Sequence, residues 1–560
     1  MASTFLLWRA SAATGPASSS AKPTEPTNAA SPARVRLISQ DQYLNTLSYI
    51  FGPDIKVAPH FAPFRRTDGL LQVGAFSAGV TTAQMQEFQR TAGAIADLVV
   101  SPEHRNFLVP CAPKRENAAD ARCAAQFLGS VGRLLYRRPL SIPELDQIVA
   151  GAGSTADRMK DFYAGLAVAL EGMLVSPDML FVVDLTEPDS ASPGQRRLDS
   201  YSMASRLSFF LWNAAPDDHL LKMAARGDLQ KPDGLASAVD YLLASPRLET
   251  GVRALFDDML GFDDFAVLSK DGAIYPAFVG DTVQDAREQT LRIIVDQLLV
   301  RKADYRDLFT TRSIFISPSL GPLYGVTAPP GWTPYEIPEG SPRIGLLTQI
   351  AFLASHAHPG RSSATRRGKA LRELLLCQVV PRPPPNVDFS LIEDPKSTIR
   401  TARERLAAHR ANPVCAGCHK ITDPIGLALE NFDGAGQYRV TERGAPIDAS
   451  GNLDGKNFDD PRGLAKSLHD APGLTSCMVR RAYSYATGAE FKAADKPMLA
   501  YLNTQFADSQ YRVPDLLRTI VLSRAFSHVA EAAAPAPAAQ TADAVPALKL
   551  GDRASSGVSK

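Results

Sequence analysis

Cys415, Cys418 and His419 stand in the order Cys-x-x-Cys-His. At this spacing two thiols can form thioethers with the vinyl groups of a haem while the imidazole binds its iron. With six cysteines and nine histidines in 560 residues, chance would produce the pentapeptide about once in a thousand such chains. The expectation is one haem c per chain, covalently held, with His419 as the proximal ligand. Two other chemistries use a Cys-x-x-Cys pair, a zinc site and a dithiol redox motif. Zinc wants a second close pair of ligands, whereas the remaining cysteines, Cys111, Cys123, Cys377 and Cys477, are scattered.

The sixth iron ligand decides what such a centre does. Methionine raises the potential, a second histidine lowers it, and an open position admits small molecules. The distal candidates are Met478, near the start of an apolar run, His409, six residues before Cys415, and the pair His356 and His358. Each of these residue types is also at home in a core or a hydrogen-bonded surface position.

The elements that must hold these residues read as helices. Ser39 offers an N-cap to a short amphipathic run that Gly52 and Pro53 end. Apolar residues recur every three or four positions over 82–100, 119–137, 141–150, 157–174, 234–244, 245–260 and 282–300. Asp199 caps a strongly apolar run through Trp212. Around the motif, a helix over 397–410 is ended by Asn412 and Pro413, and Asp423 with Pro424 reads as the capped start of another. Asp423 and Glu430 are thus expected to be structural. Sustained two-residue alternation is missing, so the expected fold class is all-α: a multidomain array of short helices ending in a cytochrome c-like haem module. Short strands near 70–76 or 445–452 fit the pattern locally.

Length implies several packed units. The expected division is a disordered leader or tether at 1–34, helical modules at 35–115 and 116–190, and a central helical domain at 195–325. A haem-binding module at 340–445, a C-terminal helical module at 446–528 and a disordered tail at 529–560 complete it. Sixty basic against fifty-nine acidic residues give no electrostatic reason to expect nucleic acid as a partner. The most apolar stretch, 162–183, is interrupted by Glu171, Pro177 and Asp178, so no transmembrane segment is expected. The start from Met1 to Arg9 lacks the basic region of a secretory leader. Four cysteines beyond the haem pair nonetheless suit two disulfides in an oxidising compartment, which points to the periplasm or cell surface.

The order of several segments carries a resemblance: Arg36 to Thr46, Leu135 to Leu140, Leu198 to Trp212, Gly345 to Gln349, Arg367 to Lys369 and Pro383 to Val387. The haem motif with Asp423 to Gly426 and Glu430 to Asp433 follows, and then Tyr485 to Gly488. Over most of 36–527 the chain resembles the large planctomycete-type cytochrome c proteins, which are assembled from consecutive domains of unknown function. Many relatives carry an additional haem module near the N-terminus, which this sequence lacks. The resemblance implies two disulfides, Cys111 with Cys123 and Cys377 with Cys477. The resulting expectation is a periplasmic monohaem c-type cytochrome that exchanges electrons with a redox partner protein. Two alternatives come from other classes: a haem-dependent peroxidase or oxidase, and an extracellular binding or scaffold protein with a structural haem.

Overall fold

The structure is a computed structural model and describes residues 22–381, 399–411 and 413–530. Its first long helix, Gln40–Phe51, begins where the Ser39 hydroxyl accepts the Gln42 N–H and the Gln42 side chain accepts the Ser39 N–H. It ends at Gly52, whose φ of +86° suits only glycine well. Thr81 and Gln84 make the same reciprocal cap on Thr82–Val100, and Asp120 caps Ala121–Leu135. The next two helices divide later than their apolar spacing suggests. The first runs Ile142–Met159, Lys160 turns left-handed, and Asp161 accepts two N–H groups to open Phe162–Leu174. Gly165 allows this tight return, because a Cβ there would sit 2.4 Å from the Ala152 carbonyl oxygen.

These N-terminal helices enclose one core built on Leu47, Phe88, Phe127, Leu166 and Leu170. From Leu198 to Val529 the chain shares a second, larger core in which Trp212, Ile294, Leu353, Phe432 and Phe506 all take part. The boundaries expected between 325 and 340 and at 445 therefore fall inside one continuous apolar interior.

The fold is mainly helical, and the all-α expectation is corrected by several small sheets. Ser31–Pro32 pairs in parallel with His528–Ala530, which continues through Arg196–Leu198 to Thr186–Pro188. This sheet also corrects the expected tether: residues 22–34 are placed, and Ser31 is buried. Residues 529 and 530, expected in the tail, form part of the same sheet. The rest of the expected leader and tail, and the proline-rich stretch from Pro383, lie outside the described residues. Among the described residues four two-stranded ribbons complete the β structure, two of them at Ala445–Pro446 and Gly451–Leu453 with their partners. The other anticipated strand is instead a helical turn, Leu71–Gly74, because the Asp258 carboxylate accepts the N–H groups of Leu71 and Gln72 as a cap would.

Disulfides join Cys111 to Cys123 and Cys377 to Cys477. Among the described residues no helix is long and apolar enough to cross a membrane.

Candidate functional site

The Cys-x-x-Cys-His residues lie on one helix, Pro413–Gly426. Successive helical residues turn by about 100°, so Cys415, Cys418 and His419 share one face. The preceding helix, Ala402–Arg410, is opened by a Thr401 and Glu404 capping box and packs beside it. A small cluster of Ala364, Leu406 and Leu427, with Ala402 against it, ties this hairpin to the helix Ala364–Ala370.

That last contact is unusually close. A Cβ at Gly368 would come within 2.0 Å of the Thr422 carbonyl oxygen, so only glycine lets the backbones meet there. Arg372 adds a hydrogen bond from Nε to the Ile421 carbonyl, 3.2 Å away, while its Nη1 bonds the Asp454 carboxylate. The helix bearing the cysteines is thereby fixed along its C-terminal half.

Asp423 occupies this fixed half and corrects the sequence expectation. It caps no new helix: Pro413–Gly426 continues through it, with Pro424 inside. Its side chain is fully buried and turns back one helical turn to His419, whose Nδ1 lies 2.9 and 3.0 Å from the two carboxylate oxygens. Thr365, reaching across from Ala364–Ala370, donates its hydroxyl to the same carboxylate at 3.0 Å, and Thr422 donates at 3.2 Å. With Nδ1 engaged, the imidazole's other nitrogen, Nε2, is the one left for a metal. The i, i+4 spacing of His419 and Asp423 was visible in the sequence and is the signal that reading it as a cap overlooked.

Cys415 and Cys418 are the two cysteines of six that form no disulfide. Cys415 is buried, whereas Cys418 is partly accessible and donates its thiol to the Pro381 carbonyl at 3.5 Å. Two free thiols one turn apart beside a histidine with one nitrogen pinned fit the donor set of a covalently attached haem. A four-ligand zinc centre fits less well, since the other four thiols are joined in pairs.

The distal candidates separate. His409 is buried and its ring meets that of His419. Met478 is fully buried in the larger core on the helix Pro472–Thr487. His356 packs its ring on Phe352, and burial beside Arg367, Arg366 and Lys270 pushes its pKa down to about 3. Burial and Arg366 likewise lower His358 to about 4. Both histidines are therefore neutral at ordinary pH and belong to a cationic neighbourhood. Lys270 there donates to the carbonyls of Ala354 and His358, and burial lowers its pKa to about 8.

Arg367, within one of the segments that carry the resemblance, is fully buried. It spends its guanidinium on the carbonyls of Leu429, Phe432, Leu353 and Asp433. Glu430 accepts from Ser362 and Arg439 in the same interior, consistent with a structural role. A separate polar cleft of 460 Å³ opens where Asp41, Asn213, Asp257 and Tyr485 converge, and no residue of Pro413–Gly426 borders it.

Four family models match the chain in series, each described as a protein of unknown function: DUF1595 over residues 123–184, DUF1592 over 198–326, DUF1588 over 343–442 and DUF1585 over 454–526. Cys415, Cys418 and His419 fall within the third. No curated protein and no solved structure matches the chain.

Proposed function

Four consecutive domains of the planctomycete cytochrome type are the premise from which we propose that this chain is a monohaem c-type cytochrome transferring electrons to or from a partner protein. The observation that carries the reading is local: the two unpaired cysteines share a helical face with a histidine whose Nδ1 is already held. Cys415 and Cys418 would each add S–H across a vinyl group, sulfur to one carbon and hydrogen to the other, with nothing leaving. His419 would supply Nε2 to the iron. When bound, the haem would provide a reversible one-electron couple.

The Gly368 crossing and Arg372 hold the helix, and the larger core holds the crossing. Export to the periplasm or cell surface is supported by the two disulfides, which persist in oxidising compartments.

A haem peroxidase or oxidase is the second reading, and the Asp423 to His419 hydrogen bond is what favours it. A carboxylate on the far nitrogen makes an imidazole a more basic ligand, and electron donation from the proximal side favours O–O cleavage. Optical and EPR spectra of protein matured with a c-haem system, titrated with carbon monoxide and peroxide, separate the two. Low-spin iron indifferent to both ligands supports electron transfer, and high-spin iron that reacts with peroxide supports the enzyme.

A further inference from the structure

We propose that Asp423 is a positioning residue that sets the redox potential of the centre through His419, holding it well below the value a neutral partner would give. The inference rests on the haem reading above and deepens it.

Asp423 is 0% exposed, and its one ion-pair partner among the described residues is His419. A buried carboxylate without a cation is strongly unfavourable unless hydrogen bonds or a nearby positive charge offset it. Here His419 Nδ1 and Thr365 Oγ1 donate to it, the Thr422 hydroxyl divides its one hydrogen between this carboxylate and the Cys418 carbonyl, and none of the three needs to carry a full positive charge. The compensating charge lies one imidazole away. A ferric haem core carries one net positive charge and a ferrous core carries none, so the carboxylate stabilises the oxidised form selectively. The hydrogen bond acts in the same direction, because an Nδ1–H shared with a carboxylate gives Nε2 more imidazolate character and a stronger bond to the higher oxidation state.

The threonine contacts make the device adjustable. Every hydrogen bond that Asp423 receives from Thr365 withdraws some acceptor strength from the one it receives from His419. Thr365 and Asp423 are on different helices, and the Gly368 crossing fixes their separation, so the balance is built into the packing. Two substitutions should consequently move the potential in opposite directions. Asp423→Asn keeps the shape and an acceptor but removes the charge, raising the midpoint. Thr365→Val removes a competing donor and leaves the carboxylate freer to pull on His419, lowering it.

The test is spectroelectrochemical titration of the matured full-length protein and both variants, with covalent haem verified by mass on each. The expected result is an at least tenfold rise in the ferrous to ferric ratio of Asp423→Asn at fixed applied potential, equivalent to about 59 mV for one electron. A smaller change of opposite sign is expected in Thr365→Val. Haem attached with an unchanged or lowered midpoint in Asp423→Asn overturns the inference while leaving the haem reading intact. If Asp423→Asn does not fold, the sign of the Thr365→Val shift decides alone, a fall supporting the inference and no shift or a rise overturning it. Wild-type protein matured without covalent haem overturns both.

Discussion

His409 and His419 meet edge to face, with ring centres 4.8 Å apart and planes at 73°. Two imidazoles ligating one metal from opposite sides would hold their centres about 6 Å apart, given metal–nitrogen bonds of about 2 Å each. The contact therefore sets His409 against the flank of His419, where it restricts rotation of the ring that Asp423 already holds at Nδ1. His409→Ala is expected to retain covalent haem and the wild-type spin state by EPR. Conversion from low to high spin would instead make His409 the sixth ligand.

The Gly368 crossing links the fold to the site. Alanine there would meet the Thr422 carbonyl oxygen at 2.0 Å, and backbone cannot yield as a flexible side chain can. Overpacking of this kind costs about 1–3 kcal/mol. Gly368→Ala should lower the denaturant midpoint accordingly and, by displacing Thr422 and Asp423 from His419, broaden or shift the haem absorption bands. Gly417, with nothing within 4 Å of an added Cβ, is the control: Gly417→Ala should do neither.

Both disulfides constrain the unfolded chain, and their loops differ greatly, 12 residues for Cys111 to Cys123 and 100 for Cys377 to Cys477. On loop entropy alone the longer one contributes about 4.7 kcal/mol and the shorter somewhat less than about 3 kcal/mol. Paired serine substitutions at Cys377 and Cys477 should therefore lower stability more than the pair at Cys111 and Cys123. Equal losses in chemical denaturation would show that loop length is not what matters here.

His356 gives stability a pH dependence. Burial and neighbouring cations hold its folded pKa at about 3, whereas in the unfolded chain it titrates near 6.5. Between those values the unfolded state binds a proton that the folded state refuses. Stability is thus fully present above about pH 6.5 and lost as pH falls, by up to about 1.4 kcal/mol per unit. Comparing His356→Gln with wild type between pH 6.5 and 5, above the range where most carboxylates titrate, should show a flatter slope in the variant. Parallel slopes would mean that His356 is protonated in the folded protein.

Local signals in the sequence carried much of the fold. The caps at Ser39 and Asp199 and the bounds Thr82–Val100 follow from side chains that bond close neighbours in sequence. What could not be read was set by distant partners. The chain near Leu70 is helical because Asp258 caps it from far along the sequence, and Ser31 enters a sheet because His528–Ala530 arrives beside it. The site divides along the same line. Cys415, Cys418 and His419 announce themselves by spacing. Asp423 looked like a helix start because Asp followed by Pro usually is one, and its contacts depend on Thr365 and on the Gly368 crossing, neither of which is near it in sequence.

The proposed haem is held by Cys415 and Cys418. Its most direct test is the intact mass and pyridine haemochrome spectrum of the protein matured with a c-haem system, after acid extraction of any loosely bound haem, beside a Cys415→Ala/Cys418→Ala double variant. The prediction is one covalent haem per wild-type chain and none on the variant. A wild-type chain at its bare polypeptide mass, or haem that survives extraction from the double variant, would contradict the account.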